Sequence, residues 1–438
     1  MARNLTDIRY NIEKANRTDR RVQNLACYID AGMLRSIHMR MDKNKATGVD
    51  RVTKLDYEAN LNENLINLVT RLKNGAYRPN PTRRTYIPKD GSNKMRPLGI
   101  SSYEDKLVEN AVAQILNQIY EPKFLDCSFG FRPGRNCHMA VREIIEMVQY
   151  RKTNYVVEAD IRSYFDTIDH EWMMKMLEHD IADRRFLEII RRFLKAGVME
   201  NGKYMDSEAG SPQGNGASPV LANIYLHYVL DIWFEVVAKR CYKGQCYLIR
   251  YADDFVCCFQ NKWEAEDFRR RLDTRFAKFG LSLAEEKTKV IEFGRFAKEN
   301  RAKRGMGKPE TFDFLGFTFY CGMDGRKKFY RCRVKTSKKK FRSKVAKMKE
   351  WIRRNRNMPV GELIRKINEK LAGHYQYYAV TDNYNCVKSF RHCTVWLLFK
   401  WLNRRSQKKS YTADTFFNGL LKTFPIKEPR TMISLFYR

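Results

Sequence analysis

The 438-residue chain is as informative for what it lacks as for what it holds. It has 11 cysteines, an odd number, and no Cys-x-x-Cys pair, so a zinc ribbon is excluded and a complete disulfide framework is disfavoured. Cys241 with Cys246, and the vicinal Cys257 and Cys258, read as buried thiols in strands of a protein kept in a reducing compartment. No apolar leader is expected, because the opening MARNLTDIRYNIEK is polar and mixed in charge. Nor is there an uninterrupted apolar run. The most apolar long window, Pro219 to Ala238, is broken by Asn223, His227, Asp231 and Glu235 and reads as a buried helix, so no membrane partner is expected. Repeats and low-complexity linkers are absent. Acidic residues are scarce, 50 against 83 Lys and Arg, which leaves a net charge of +33. Such an imbalance opposes compaction by self-repulsion and calls for a polyanionic partner.

What is present is a folded chain. An apolar fraction of 43% and an aromatic fraction of 13% support two or three domains with cores of their own. Residues 1–75 read as largely helical, with a turn at Lys45-Ala-Thr-Gly-Val-Asp50, and residues 76–100 as two strands around a basic loop that holds Lys89, Lys94 and Arg96. Helical spacing runs from Tyr103 to Ile119 and resumes from His138 to Tyr150, after a loop broken by the Gly and Pro of residues 127–135. A strand at 154–161 carries Asp160 near its end, and Asp169 is the expected N-cap of the helix that starts at His170. Between Arg326 and Arg356 there are sixteen Lys or Arg and a single acid, Glu350. Val345, Met348, Trp351 and Ile352 keep helical spacing there, so the segment reads as an amphipathic helix with a cationic outer face.

The chemistry is expected at Cys246-Tyr-Leu-Ile-Arg-Tyr-Ala-Asp-Asp-Phe-Val-Cys-Cys-Phe259, where two β-rich runs flank the adjacent carboxylates Asp253 and Asp254. Adjoining carboxylates repel unless a cation lies beside them. If the strand ending in Asp160 neighbours this hairpin, three carboxylates converge on one sheet edge and hold two divalent ions, a phosphoryl-transfer arrangement. Mg²⁺ is the expected ion, since it prefers hard oxygen ligands and no His/Cys cluster competes for a softer metal.

The order of motifs resembles the reverse transcriptases of group II introns, the intron-encoded maturases. The segments that carry the resemblance are Asn44-Lys-Ala-Thr-Gly-Val-Asp50, Arg96-Pro-Leu-Gly99, Ser128-Phe-Gly-Phe-Arg-Pro-Gly-Arg135, Ala159-Asp-Ile-Arg-Ser-Tyr-Phe-Asp166, Ser211-Pro-Gln-Gly214, Tyr251-Ala-Asp-Asp254, Glu286-Lys-Thr288 and Phe314-Leu-Gly-Phe317, collinear over about 275 residues. The resemblance implies an α+β right-hand polymerase followed by an α-helical thumb. Its divisions would be an N-terminal extension and fingers over 1–110, a palm with the remaining fingers elements over 111–325, and a helical thumb or maturase domain over 326–438, with room for a short DNA-binding segment at the end.

It also implies residue roles. Asp160, Asp253 and Asp254 would be the catalytic metal ligands, and Lys287 the general acid for pyrophosphate departure. Arg83, Lys89 and Arg96 would grip the triphosphate and Gln213 would contact the incoming nucleotide. Phe165 would be an aromatic gate that clashes with a ribose 2′-hydroxyl. Leu315 and Gly316 would belong to the primer grip. Arg132, Arg135, Lys338, Lys339, Lys340 and Arg342 would meet nucleic-acid phosphates. The implied partners are an RNA template, in this family the group II intron RNA, a DNA or RNA primer and dNTPs. The implied location is the bacterial cytoplasm, near the nucleoid. Longer relatives carry a Cys/His-rich endonuclease region that is missing here, so target-strand cleavage is not expected.

Three other readings stay open at this level: a splicing cofactor whose polymerase fold has lost activity, a free-standing cellular relative used in DNA repair or phage defence, and a viral RNA-dependent RNA polymerase. The intact Asp160, Asp253 and Asp254 argue against the first, and Ala252 with Phe165 against the last. Oligomeric state is not legible.

Overall fold

The computed structural model describes residues 5–18, 20–88, 95–210, 214–324, 329–405 and 407–436. Four helices lead the chain: α1 (Leu5–Arg17), α2 (Ala31–Arg40), α3 (Lys54–Glu58) and α4 (Leu61–Lys73). Side-chain caps define two of their starts. Asp30 accepts from the Met33 amide, and Thr53 and Asp56 form a reciprocal capping box. The strands β1 (Thr82–Pro88) and β2 (Met95–Ile100) pair antiparallel, as the sequence predicts.

Next come α5 (Tyr103–Tyr120), α6 (Cys137–Tyr150), β3 (Tyr155–Ala159), α7 (Tyr164–Thr167), α8 (His170–Asp180) and α9 (Arg184–Leu194). Asp169 does cap α8, its carboxylate accepting from the Trp172 amide. Two short strands that the sequence pattern does not announce, β4 (Val198–Glu200) and β5 (Lys203–Met205), extend the β1–β2 hairpin; β4 runs parallel to β1. At three residues each they are too short for a period to declare itself.

The apolar window expected to be a buried helix begins as α10 (Ser218–Leu226) and continues through π turns at His227–Asp231 and Phe234–Ala238. Among the described residues, Ser218–Cys241 is the one helix long and apolar enough to cross a membrane, and 67% of its apolar window is buried inside the protein. The hairpin β6 (Cys246–Tyr251) and β7 (Asp254–Phe259), helix α11 (Lys262–Lys278) and β8 (Lys289–Glu292) follow. Cys246, Cys257 and Cys258 are buried strand thiols, whereas Cys241 is exposed beyond the π turns.

β6, β7, β3 and β8 form one antiparallel sheet in the order β6-β7-β3-β8. Strand side chains alternate between faces, and here both faces are covered. Val157, Leu248 and Cys257 enter a core shared with α5, α10 and α11. Val156, Ile249, Val256, Cys258 and Ile291 enter a second core shared with α6 and the C-terminal helices.

After α12 (Ala297–Lys303), the strands β9 (Phe312–Phe314), β10 (Phe317–Met323) and β11 (Tyr330–Thr336) make a three-stranded sheet. The expectation of a single helix across 326–356 is corrected here. Residues 330–336 are a strand because Cys332, Val334 and Thr336 bury every second side chain. Ser337 then caps α13 (Lys338–Asn355), its hydroxyl accepting from the Lys340 amide. The β10–β11 hairpin therefore spans the boundary expected at 325–326 and ties the palm-like half to α13, α14 (Val360–Tyr378) and α15 (Tyr384–Leu402). The whole is α+β, with helices gathered at the C-terminal end.

Candidate active site

The register of the central sheet decides the site. β3 pairs with β7 from Tyr155 opposite Phe259 to Ala159 opposite Phe255, so Asp160, one step on, comes level with Asp254. In the adjoining hairpin Tyr251 pairs with Asp254, which leaves Ala252 and Asp253 as a two-residue turn. Ala252 adopts left-handed backbone, φ +59°, a strained conformation for an alanine. Asp253 and Asp160 are half-buried and Asp254 is exposed.

The segment after Asp160 is held by the loop that precedes β8. The Ala284 amide donates to the Asp160 carbonyl at 2.8 Å, and the Arg162 amide to the Ser282 carbonyl at 2.9 Å. This loop delivers Lys287, whose ammonium donates to the Asp160 carboxylate. That hydrogen bond raises the lysine's pKa, with the Asp160 charge acting in the same direction. Glu158, two residues earlier on β3, is pushed up to about 7 by burial, with Asp313 and Asp254 adding to it.

Among the described residues no three His, Cys, Asp or Glu side chains form a ready metal cage. By register Asp160 and the Asp253–Asp254 turn nonetheless share one edge of the sheet, the arrangement expected from the sequence. Asp254 lies within electrostatic reach of Lys287 and Glu158, and Asp253 within that of Tyr164. The donors still suit Mg²⁺, which takes one or two carboxylates and fills its octahedron with water and substrate phosphate. A cationic group already rests against Asp160, which places its oxygens where a cation is wanted.

The remaining expected residues are distributed around this edge. Phe165, on α7, is half-buried against the first core and meets Tyr164 edge to face at 5.5 Å. Gly210 sits over its backbone, for a Cβ there would lie 3.0 Å from the Phe165 carbonyl. Arg96 is exposed on β2. Arg83 is turned inward, donating from Nε and Nη2 to the Thr47 carbonyl at 3.1 and 2.7 Å, so it braces the 44–50 loop. Lys89 and Gln213 lie outside the described residues. Gly214, just past Gln213, has φ +110° and abuts β2: a Cβ would meet the Gly99 carbonyl at 2.7 Å.

Leu315 and Gly316 form the left-handed turn between β9 and β10, φ +49° and +80°. The Tyr377 hydroxyl donates to the Leu315 carbonyl at 2.7 Å, and the Ser337 amide to the Gly316 carbonyl at 2.9 Å. Lys338, Lys339 and Arg342 are exposed at the start of α13, with Lys340 half-buried. Along this helix lies an open groove of about 1230 Å³, bounded by Asp313, Thr318, Lys335 and Phe341.

Arg132 is a correction. It is 7% exposed, its guanidinium forks onto the Glu121 carboxylate, and it also donates to the Leu125 and Ser128 carbonyls at 2.8 and 2.9 Å. A guanidinium so engaged braces its own loop and is not free for phosphate. Arg135 is partly taken too, pairing with Asp126 at 2.6 Å and lying over the Phe129 ring.

Sequence reasoning missed Gly130 and Arg250. A Cβ on Gly130 would lie 2.3 Å from the Ala252 amide, so the 127–135 loop backs directly onto the acidic turn. Arg250 is wholly buried beneath that turn. An arginine inside an otherwise apolar strand was the available signal.

Residues 87–319 match the family described as reverse transcriptase (RNA-dependent DNA polymerase), more than half of the chain. The chain belongs to the reverse transcriptase family. Residues 338–416, the start of α13 onward, match the maturase-specific domain of group II introns. The group II intron-encoded protein LtrA of Lactococcus lactis subsp. cremoris is 46% identical over 165 residues, 38% of this chain and 27% of that protein. Protein YkfC of Escherichia coli (strain K12) is 39% identical over 237 residues, 48% of this chain and 62% of that protein. Nuclear intron maturase 1, mitochondrial, of Arabidopsis thaliana is 28% identical over 167 residues, 35% of this chain and 23% of that protein. Each match thus spans only part of the relative, from about a quarter of it to about three fifths.

Proposed function

We propose that this reverse transcriptase adds dNTPs to a DNA or RNA primer on an RNA template, and that its C-terminal helices bind group II intron RNA to assist splicing and retrohoming. The observation that carries the reading is the register that sets Asp160 level with the Asp253–Asp254 turn. Asp160, Asp253 and Asp254 would hold Mg²⁺. When bound, such ions acidify a primer 3′-hydroxyl and offset charge on the departing pyrophosphate.

The chain's own residues do the rest. Lys287, hydrogen-bonded to Asp160, would give a proton to the leaving group. Arg96, together with Lys89, offsets the triphosphate charge. Phe165 closes the sugar side against a 2′-hydroxyl, and Gln213 would contact the incoming nucleotide; Gly210 and Gly214, described on either side of it, abut the Phe165 backbone and β2 respectively. The 315–316 turn carries the primer backbone, where Gly316 permits close approach. The exposed cations of α13 track phosphates without reading bases. A bacterial cytoplasmic, nucleoid-associated location is part of the same proposal.

The test is primer extension on an RNA template. The wild type should extend with dNTPs in Mg²⁺, and Asp253→Ala should fail while binding RNA nearly as well. Extension by that variant at the wild-type rate would overturn the assignment. Splicing of a group II intron RNA, with and without the protein, tests the maturase half separately.

A further inference from the structure

Arg250 is among the largest fully buried side chains of the described residues. All five of its N–H donors are used. Nε and Nη2 fork onto the Asp231 carboxylate at 2.7 and 2.5 Å, Nη2 also donates to Ser128 Oγ at 2.8 Å, and Nη1 donates to Asn223 Oδ1 at 3.0 Å. The fifth bond, from Nη1 to the Ala252 carbonyl at 2.9 Å, reaches the acidic turn itself. That carbonyl belongs to the peptide bond that carries Asp253.

We infer that Arg250 is a positioning residue for the acidic turn, fixing the Ala252–Asp253 peptide so that the Asp253 carboxylate is held ready for a divalent cation. Stability does not account for the arrangement, because a buried ion pair is often no more stabilising than apolar side chains of similar volume. The Nη1 bond to the Ala252 carbonyl does account for it. Ala252 is strained at φ +59°, and such a residue persists only where its surroundings over-determine it.

Here the turn is gripped on two sides. Gly130 presses against the Ala252 amide, and Arg250 holds the Ala252 carbonyl. The two grips are joined, since the Asn223 amide donates to the Gly130 carbonyl at 2.6 Å while its oxygen accepts from Arg250. Asp231, which anchors the fork, sits at the end of the π turn His227–Asp231. Three segments, the 127–135 loop, the helix Ser218–Cys241 and the β6–β7 hairpin, thus converge through one guanidinium on the peptide before Asp253. The fixed fork is what the position uses, and a lysine cannot supply it.

This inference rests on the polymerase reading, and the experiment separates the two. The full-length protein is titrated with Mn²⁺ and free Mn²⁺ is followed by electron paramagnetic resonance, without nucleic acid or turnover. Single-turnover primer extension is measured beside it. In Arg250→Lys, Mn²⁺ affinity and extension rate should each fall about 10- to 100-fold, the range for losing a group that orients metal ligands, with dNTP KM and template affinity close to wild type. Asn223→Ala, which keeps the ion pair, should shift both in the same direction by a smaller factor and serves as the test if the lysine variant does not fold, as judged by circular dichroism. A folded variant that keeps wild-type Mn²⁺ affinity and loses rate only in proportion to its active fraction would overturn the positioning role. A wild type that neither binds Mn²⁺ nor extends a primer would instead overturn the polymerase reading.

Discussion

Lys287 and Asp160, 127 residues apart in the chain, are joined by a hydrogen bond from ammonium to carboxylate. The contact exists because the loop from Leu281 to Thr288 runs beside the residues that follow β3, pinned there by backbone hydrogen bonds on either side of Leu283. On the proposed mechanism, this lysine donates a proton to the leaving pyrophosphate. Lys287→Met should lower the single-turnover extension rate by about 100-fold, the lower end for losing a general acid, with template affinity nearly unchanged. A rate within threefold of wild type would make the residue a counter-ion alone.

Phe165 is half-buried, and Gly210 covers its backbone. Shortening the ring should open the sugar side of the site without collapsing the core. Phe165→Ala should raise rNTP use relative to dNTP by about 10- to 100-fold, the scale of steric discrimination in a pocket. An unchanged ratio in a competition assay would mean that the ring only packs.

The cationic face of α13 predicts a salt response. If six to ten phosphates are neutralised, template affinity should fall by roughly 10³- to 10⁵-fold between 50 and 200 mM salt. Arg342→Gln should reduce the slope of log affinity against log salt by about 0.9 for one lost phosphate contact. Filter binding across a salt series checks both, and a flat response would count against phosphate tracking.

His374 offers a stability prediction remote from catalysis. It is buried in α14, stacked on Phe390 at 4.0 Å, and neither ring nitrogen has a hydrogen-bond partner. Burial, aided by Lys344, drives its pKa down to about 4. The unfolded chain, with an ordinary histidine pKa near 6.5, therefore takes up a proton first. The contribution to stability is whole above pH 6.5 and is lost as pH falls toward 4, amounting to about 2 kcal/mol between pH 7 and pH 5. Thermal melts at those two pH values should show a smaller drop for His374→Leu than for wild type.

Much of this was legible in the residues. β-rich runs at 246–251 and 254–259 marked the hairpin, the cap expected at Asp169 lies where a helix starts, and the collinear motifs carried the family resemblance. The roles of individual arginines were not. Arg83, Arg132 and Arg250 look like any other cations in a chain with net charge +33, yet each is turned inward onto carbonyls or carboxylates. Composition counts charge but cannot say which charges find partners inside. The strand at 330–336 was hidden for a related reason, because its alternation lies within the same cationic run as α13.

Local pattern alone determined the capped and amphipathic helices, the acidic hairpin and the expectation of a polyanionic partner, since these follow from spacing and composition. Only the tertiary structure decided that Asp160 stands level with Asp254, that Lys287 reaches it, and that a buried guanidinium grips the peptide before Asp253. Those are contacts between segments distant in the chain. Strand register and packing set them, and neither is written in any one stretch of residues.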